Sequence, residues 1–333
     1  MIALVLFVVL IALIMLGVPV GFALGGATII IMQFFTKLDL SMVASYSVTG
    51  VDSLTMMAIP FFILSGVVMS VGGLARRLVD VAASLVGWMM GGLGAVVSLA
   101  SMFFGAISGS SLATVSCIGG IMVPEMQKKG YDLGYSAVFT ACAGTIGAVI
   151  PPSIPLVVYG VCTSTSIGDL FLGGIFPGVM IGIALIISNY IVCKKKGYVG
   201  AERKSGREIL KAVWEAKWAL FAPVIILGGI YSGIFTPTEA SVVSVVYSTI
   251  VALFIYKEIT WKDLYNAIVG AAVTNGTTTF LLGLSTAFAA LLSFEQIPSM
   301  LTNAIINFTD NKFLFLMLVN VILLVIGCFI DNI

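Results

Sequence analysis

Residues 144–160 read GTIGAVIPPSIPLVVYG. Two adjacent prolines interrupt an apolar run that carries no charge from residue 133 to residue 168. Each proline removes a backbone N–H donor, and its ring clashes with the preceding helical turn. The carbonyls around residues 147–150 thereby lose their helical partners. In a water-exposed helix, solvent would take those carbonyls over, but hydrocarbon offers them nothing. A simple proline kink and a true discontinuity are both open here, and Pro155 weighs toward the second. Unwound backbone at membrane depth is tolerated only where protein or a water-filled cavity surrounds it. Such breaks are where secondary transporters hold ions and substrate.

Composition makes the bilayer the natural solvent. Of 333 residues, 60% are hydrophobic and 9% charged, against roughly 25% charged in a soluble domain. Mean hydropathy is +1.16. Such a chain cannot cover itself with polar surface, so an all-α polytopic membrane protein is predicted. Charge is absent from residues 1–36, 81–124, 133–168, 170–193, 218–238 and 264–294. At about 20 apolar residues per crossing, these intervals hold one span each or, in places, two. The start lacks a basic region, so a first span or re-entrant element is expected there rather than a cleavable signal.

Outward from the proline pair, the pattern is one of interrupted apolar segments. Residues 1–35 form one long tilted span or two short elements around Gly17-Val18-Pro19. Residues 56–66, MMAIPFFILSG, precede Val71-Gly72-Gly73 and form a re-entrant hairpin or a kinked span. Arg76, Arg77 and Asp80 mark an interface. Residues 81–124 hold about two helices, separated near Gly91-Gly92 or Gly94. Residues 194–217 carry Lys194, Lys195, Lys196, Arg203, Lys204, Arg207, Lys211 and Lys217, half of the sixteen basic residues. The segment is short enough for the positive-inside rule, which places it in the cytoplasm. It divides the chain into a first half (1–193), a basic loop (194–217) and a second part (218–333).

Three further clusters invite chemistry. Residues 103–120, FFGAISGSSLATVSCIGG, bring Ser108, Gly109, Ser110 and Ser111 into an apolar run. They serve either close helix packing through small residues or an unwound ion site built from hydroxyls and carbonyls. In IFTPTEA (residues 234–240), Thr236, Pro237 and Glu239 read as a helix capping box with proline at the first helical position. A place at a gate or cavity is the alternative for Glu239. Asn275-Gly276-Thr277-Thr278-Thr279 reads as a loop between short helices or a cavity lining. Tyr159 lines a pathway or packs.

Several functions are excluded by what the chain lacks. It has no histidine, so a Ser-based hydrolase has no ordinary base and His-based metal ligation is impossible. No GxxxxGK[ST] loop for nucleotide phosphates occurs, and no nucleic-acid-binding module. Cys117, Cys142, Cys162, Cys193 and Cys328 show no CxxC spacing and read as small buried hydrophobes. The reading is therefore not an enzyme, with no cofactor and no nucleic-acid partner.

The segments that carry these breaks resemble the large membrane subunit of tripartite ATP-independent periplasmic (TRAP) transporters. The likeness runs through Leu16-Gly17-Val18-Pro19-Val20, Ile59-Pro60-Phe61-Phe62-Ile63-Leu64-Ser65-Gly66 and Gly105-Ala106-Ile107-Ser108-Gly109-Ser110-Ser111. It continues through Met122-Val123-Pro124-Glu125-Met126, Lys129-Gly130-Tyr131, residues 144–160 and residues 233–240. The resemblance implies an elevator-type carrier with re-entrant hairpins, discontinuous helices and an inverted repeat. It implies sodium-coupled uptake of a small organic anion, such as a C4-dicarboxylate or sialic acid. An extracytoplasmic binding protein would deliver that anion, and a small membrane subunit would be the partner in a bacterial or archaeal cytoplasmic membrane.

Carried onto this chain, the first hairpin falls near residues 58–72 and the second near residues 291–307. One sodium site uses Ser108, Ser110, Gly144 and Gly147, with Gly109, Ser111, Pro151 and Pro152 shaping the ion and substrate region. The second-half counterpart is residues 327–331, including Gly327 and Asp331. Leu112 departs from the family pattern. The family continues well beyond residue 333 with a second proline break, so a fragment, a truncated frame or the covered part of a longer product is expected, inactive by itself. The alternatives are a carrier of another family that needs no binding protein and a non-transporting interaction or assembly subunit.

Overall fold

The structure, a computed structural model, describes residues 2–308 and 311–327, and all regular elements among them are helical. In chain order they are α1 (Ile2–Met15), α2 (Val20–Phe35), α3 (Ser41–Thr49), α4 (Ala58–Val71), α5 (Leu74–Val86), α6 (Gly92–Ser108), α7 (Ser111–Lys128) and α8 (Leu133–Gly144). A 3-10 turn, Thr145–Ala148, follows. Then come α9 (Ile154–Thr163), α10 (Ile167–Lys196), α11 (Gly206–Glu215), α12 (Lys217–Tyr231) and α13 (Pro237–Ile250), which runs on as a π-helical turn over Val251–Ile255. Last are α14 (Trp261–Phe294), α15 (Ile297–Phe308) and α16 (Lys312–Gly327).

The chain packs as two compact units. One takes the chain up to Ser53 and from Gly276 onward; the other is Leu54–Asn275. This spatial grouping cuts across the sequence halves 1–193 and 218–333. In the first unit, Gly17 adopts φ +82° and Pro19 fixes the entry to α2, so the opening apolar run is two helices. Their core joins Leu6, Leu10, Ala23, Ala27 and Ile31 to Ala287, Phe288 and Leu291 of α14. A methyl group on Gly25 would lie 2.9 Å from the Leu284 side chain, so glycine sets how closely α2 approaches α14.

The second unit holds the breaks. Helices α4 and α5 meet at 68°, and Gly73 turns the chain with φ +73°. Arg77 fastens this bend. It donates to the Gly73 carbonyl at 2.9 Å and pairs with Glu258 at 2.6 Å. Its guanidinium also lies 3.7 Å from the Tyr256 ring centroid. Residues 81–124 were expected to hold about two helices parted near Gly91. A break does occur there, with Gly91 at φ +71°, but a second at Gly109 separates α6 from α7. The polar run 275–279 is not a loop between short helices, because α14 passes through it.

Side-chain capping explains several helix starts. The side chains of Ser110, Asp132, Ser153, Ser166, Ser205 and Thr236 each accept the backbone N–H three residues on, which satisfies one of the donors a helix leaves open. The α7–α8 connection closes on Tyr131, whose ring stacks on Tyr198 with centroids 4.2 Å apart. Burial pushes the Tyr131 phenol up to about 12.

Helices α10, α13 with its π turn, and α14 are each long and apolar enough to cross a membrane. The bent pairs α4–α5 and α11–α12 add up to two more by length and composition. At 30 residues, α10 is about 45 Å long. Its Phe176, Ile183 and Ile187 stand exposed, a surface suited to lipid tails and costly in water. The fold is thus an all-α polytopic bundle with bent and discontinuous helices.

Candidate functional site

Two helix interruptions cross inside the second unit. The first lies between α6 and α7. Gly109 takes φ +63°, and its N–H closes α6 onto the Gly105 carbonyl at 3.1 Å. Ser110 is extended (φ −133°, ψ 129°) and caps α7. The second lies between the 3-10 turn and α9. Pro151 and Pro152 occupy the break, joined by a cis peptide bond. Ser153 is extended in nearly the same way (φ −129°, ψ 123°) and caps α9. The two helix starts are thus built alike.

The interruptions complete each other. The Ile154 N–H, freed by the break, donates to the Gly109 carbonyl at 3.0 Å. The Ser153 hydroxyl donates to the Ala148 carbonyl, whose helical donor four residues on would be Pro152. The Gly147 carbonyl faces the same loss at Pro151, which has no N–H to give. Around this crossing the backbones touch. A methyl on Gly105 would lie 2.8 Å from the Gly147 Cα. One on Gly109 would lie 2.5 Å from the Pro152 carbonyl oxygen, and one on Gly147 would strike the Thr114 hydroxyl. One on Gly144 would strike the Val115 side chain. From α10, Gly174 lets the Val149 carbonyl approach.

Among the expected residues, Ser108, Gly109, Ser110, Gly144, Gly147, Pro151 and Pro152 gather here. Ser108 is 1% exposed, and its hydroxyl lies 3.2 Å from that of Thr114. Ser111 opens α7. Gly327 ends α16 in the other unit, and Asp331 lies outside the described residues. Thr236, Pro237 and Glu239 start α13 as a capping box: the Thr236 N–H donates to the Glu239 carboxylate at 2.8 Å, and the Glu239 N–H donates to the Thr236 hydroxyl at 3.3 Å.

Sequence reasoning missed four residues of the crossing. Thr114 donates to the Ser110 carbonyl at 2.8 Å, and Ser153 and Gly105 act as described. Gly66 of α4 fits against Ser108, where a methyl would lie 3.2 Å from the Ser108 Cβ. The spacing of Thr114 four residues after Ser110 was the available signal. The contact of Gly66 with Ser108 joins positions 42 residues apart in sequence and left none.

The donors at the crossing are neutral hydroxyl and carbonyl oxygens, and among the described residues no group of three or more His, Cys, Asp or Glu could hold a metal ion. Such oxygens are uncharged. The two helix amino ends nearby suit an anion, because their open N–H groups and dipoles favour negative charge.

The family model of the tripartite ATP-independent periplasmic transporter, DctM component, matches residues 7–333. The chain belongs to this family. It is 42% identical over 316 residues to the isethionate TRAP transporter permease protein DctMQ of Oleidesulfovibrio alaskensis, covering 95% of this chain and 50% of that protein. It is 37% identical to the sialic acid TRAP transporter large permease protein SiaM of Vibrio cholerae, covering 95% of this chain and 74% of that protein. With the C4-dicarboxylate TRAP transporter large permease protein DctM of Pseudomonas aeruginosa, identity is 42% over 277 residues, or 83% of this chain and 65% of that protein. The chain therefore spans between half and about three quarters of the length of these relatives. Family membership and the apolar spans make it a multi-pass protein of the inner membrane, a TRAP permease component and not an enzyme.

Proposed function

We propose that this chain forms the ion-handling and substrate-handling part of a sodium-coupled carrier for a small organic anion. The observation that carries the reading is the hydrogen-bonded crossing of the two helix breaks at Gly109 and Ile154. It concentrates neutral oxygen donors and helix amino ends in one place. Sodium is held by the hydroxyls of Ser108 and Ser110 and by carbonyls at Gly144 and Gly147, donors that need no buried carboxylate. The substrate anion lies at the amino ends of α7 and α9. Cation and anion then neutralise each other in a site without ionised side chains, which gives each a reason to bind with the other.

The relatives named above carry the names of isethionate, sialic acid and C4-dicarboxylate transporters. These compounds are all small anions, and a related carboxylate or sulfonate is the substrate class proposed here. Partners are a small membrane subunit and an extracytoplasmic binding protein that delivers the substrate. In this reading the region around residues 58–72 is the first re-entrant hairpin and residues 291–307 hold the second. The halves 1–193 and 218–333, parted by the basic loop 194–217, belong to an inverted repeat, and transport moves the site as an elevator. Residues 327–331 supply the second half's counterpart.

The test is uptake into proteoliposomes by the full-length protein with its small subunit and binding protein. Uptake of one anion from a panel is expected to require an inward sodium gradient. Ser108→Leu is expected to weaken sodium dependence at least tenfold in apparent affinity. Uptake indifferent to sodium would refute the coupling, and an unaltered sodium response in Ser108→Leu would refute the site.

A further inference from the structure

Helix α11 is amphipathic, yet none of its residues is buried. It forms because Ser205 and Glu208 close a capping box at its start, with the Ser205 N–H donating to Glu208 at 2.7 Å. It then meets the apolar helix α12 at 61°, hinging on the fully buried Ala216. With α12 running into the bilayer, a turn of that size lays α11 toward the membrane plane. At 100° per residue, Ile209 and Val213 share one stripe and are half-buried. Arg207 and Lys211 share a stripe on the far side. Between them lie Leu210, 69% exposed, and Trp214, 67% exposed.

The surroundings repeat this pattern. Lys217 Nζ sits 3.8 Å from the Trp214 ring centroid and 5.5 Å from that of Trp218. The Arg203 guanidinium lies 4.9 Å from the ring centroid of Trp88. Three tryptophans and several cations thus share one end of the unit, as at a membrane interface where the ring sits among headgroups. Residues 194–217 hold eight basic residues against Glu202, Glu208 and Glu215. An exposed Leu–Trp pair bordered by cations matches a surface that is apolar below and negative above.

We propose that α11, with Arg203, Arg207, Lys211 and Lys217, is a docking element for anionic phospholipid, holding the α10–α12 connection on the headgroup layer. Each basic side chain at such a surface contributes roughly a fivefold factor in partitioning, and salt screens the attraction over about 8 Å at physiological strength.

The test places the full-length protein in nanodiscs of phosphatidylcholine alone or with phosphatidylglycerol and follows amide exchange of residues 206–215. Phosphatidylglycerol is expected to slow exchange at least tenfold, and 0.5 M salt to remove most of that gain. The triple variant Arg203→Gln, Arg207→Gln, Lys211→Gln keeps the capping box and is expected to lose it. Brominated phosphatidylglycerol is expected to quench Trp214 fluorescence, measured as the difference from Trp214→Phe, more than brominated phosphatidylcholine does. Equal protection in both lipids, or equal quenching by both, would overturn the proposal. Protection that appears only on adding the small membrane subunit would also overturn it and assign the face to a protein partner.

Discussion

Gly105→Ala tests the crossing most directly. A methyl there would stand 2.8 Å from the Gly147 Cα and 3.3 Å from its nitrogen. Carbon atoms in contact settle near 3.5–4.0 Å, so the two backbones must part by roughly 0.7 Å. Neither can yield by a rotamer change, since both atoms are main chain. Overpacking of this kind costs about 1–3 kcal/mol, or roughly 2–4 °C in thermal midpoint per kcal/mol. Because Gly147 carries a proposed sodium ligand, the shift also moves that oxygen relative to Ser108. Misplacement by 1 Å can cost about a hundredfold, so a loss near tenfold in sodium affinity is expected. The assay is thermal unfolding of the full-length protein across a sodium titration, where binding raises the midpoint by linkage. Gly228→Ala is the control: it lies inside α12, and a methyl there meets nothing within 4 Å. It is expected to stabilise by roughly 0.5–1 kcal/mol and leave sodium alone. If Gly105→Ala matched Gly228→Ala in both midpoint and sodium response, the close crossing would be refuted.

Replacing both Pro151 and Pro152 by Ala restores two N–H donors and lets α8 run toward α9; sodium-driven uptake is expected to fall at least tenfold, and normal uptake kinetics would show that the break is dispensable. Thr236→Ala removes the α13 cap and is expected to cost about 1 kcal/mol with sodium affinity unchanged. A large sodium effect in uptake assays would point to a gate at Glu239 instead. Arg77→Gln breaks the ion pair with Glu258 and the stack on Tyr256; hydrogen bonds to charged groups are worth roughly 1.5–3 kcal/mol, so denaturation should show a loss of that order. Chymotrypsin should also cut more readily near the α4–α5 bend, and unaltered cleavage would mean that Arg77 does not fasten it.

The interruptions were legible in sequence because proline and glycine act locally. Pro151-Pro152 lacks donors wherever it stands, and Gly17, Gly73 and Gly91 mark turns whose positive φ suits glycine. The loop expected at the polar run 275–279 is not there, because threonine is tolerated inside an apolar helix. Nearby in the same helix, Thr274 donates to the Gly270 carbonyl at 3.1 Å and Thr286 to that of Leu282 at 2.9 Å, so a hydroxyl there does not require a loop. The choice between close packing and unwound backbone at residues 103–120 was a false one. Gly105 packs tightly one turn before Gly109 breaks the helix. Which glycine meets which backbone depends on partners about 40 residues away, and composition holds no record of that.

The bond from the Ile154 amide to the Gly109 carbonyl has a consequence for biogenesis. A nascent chain inserted only through α7 has no residue 154 to offer. Its Gly109 carbonyl would then face lipid unpaired, at a cost of several kcal/mol. The nearest remedy is local. In an unbroken helix that carbonyl accepts from Ala113, whose N–H in the finished fold turns instead to the Ser110 hydroxyl at 3.3 Å. The first interruption therefore depends for its backbone pairing on a segment synthesised after it.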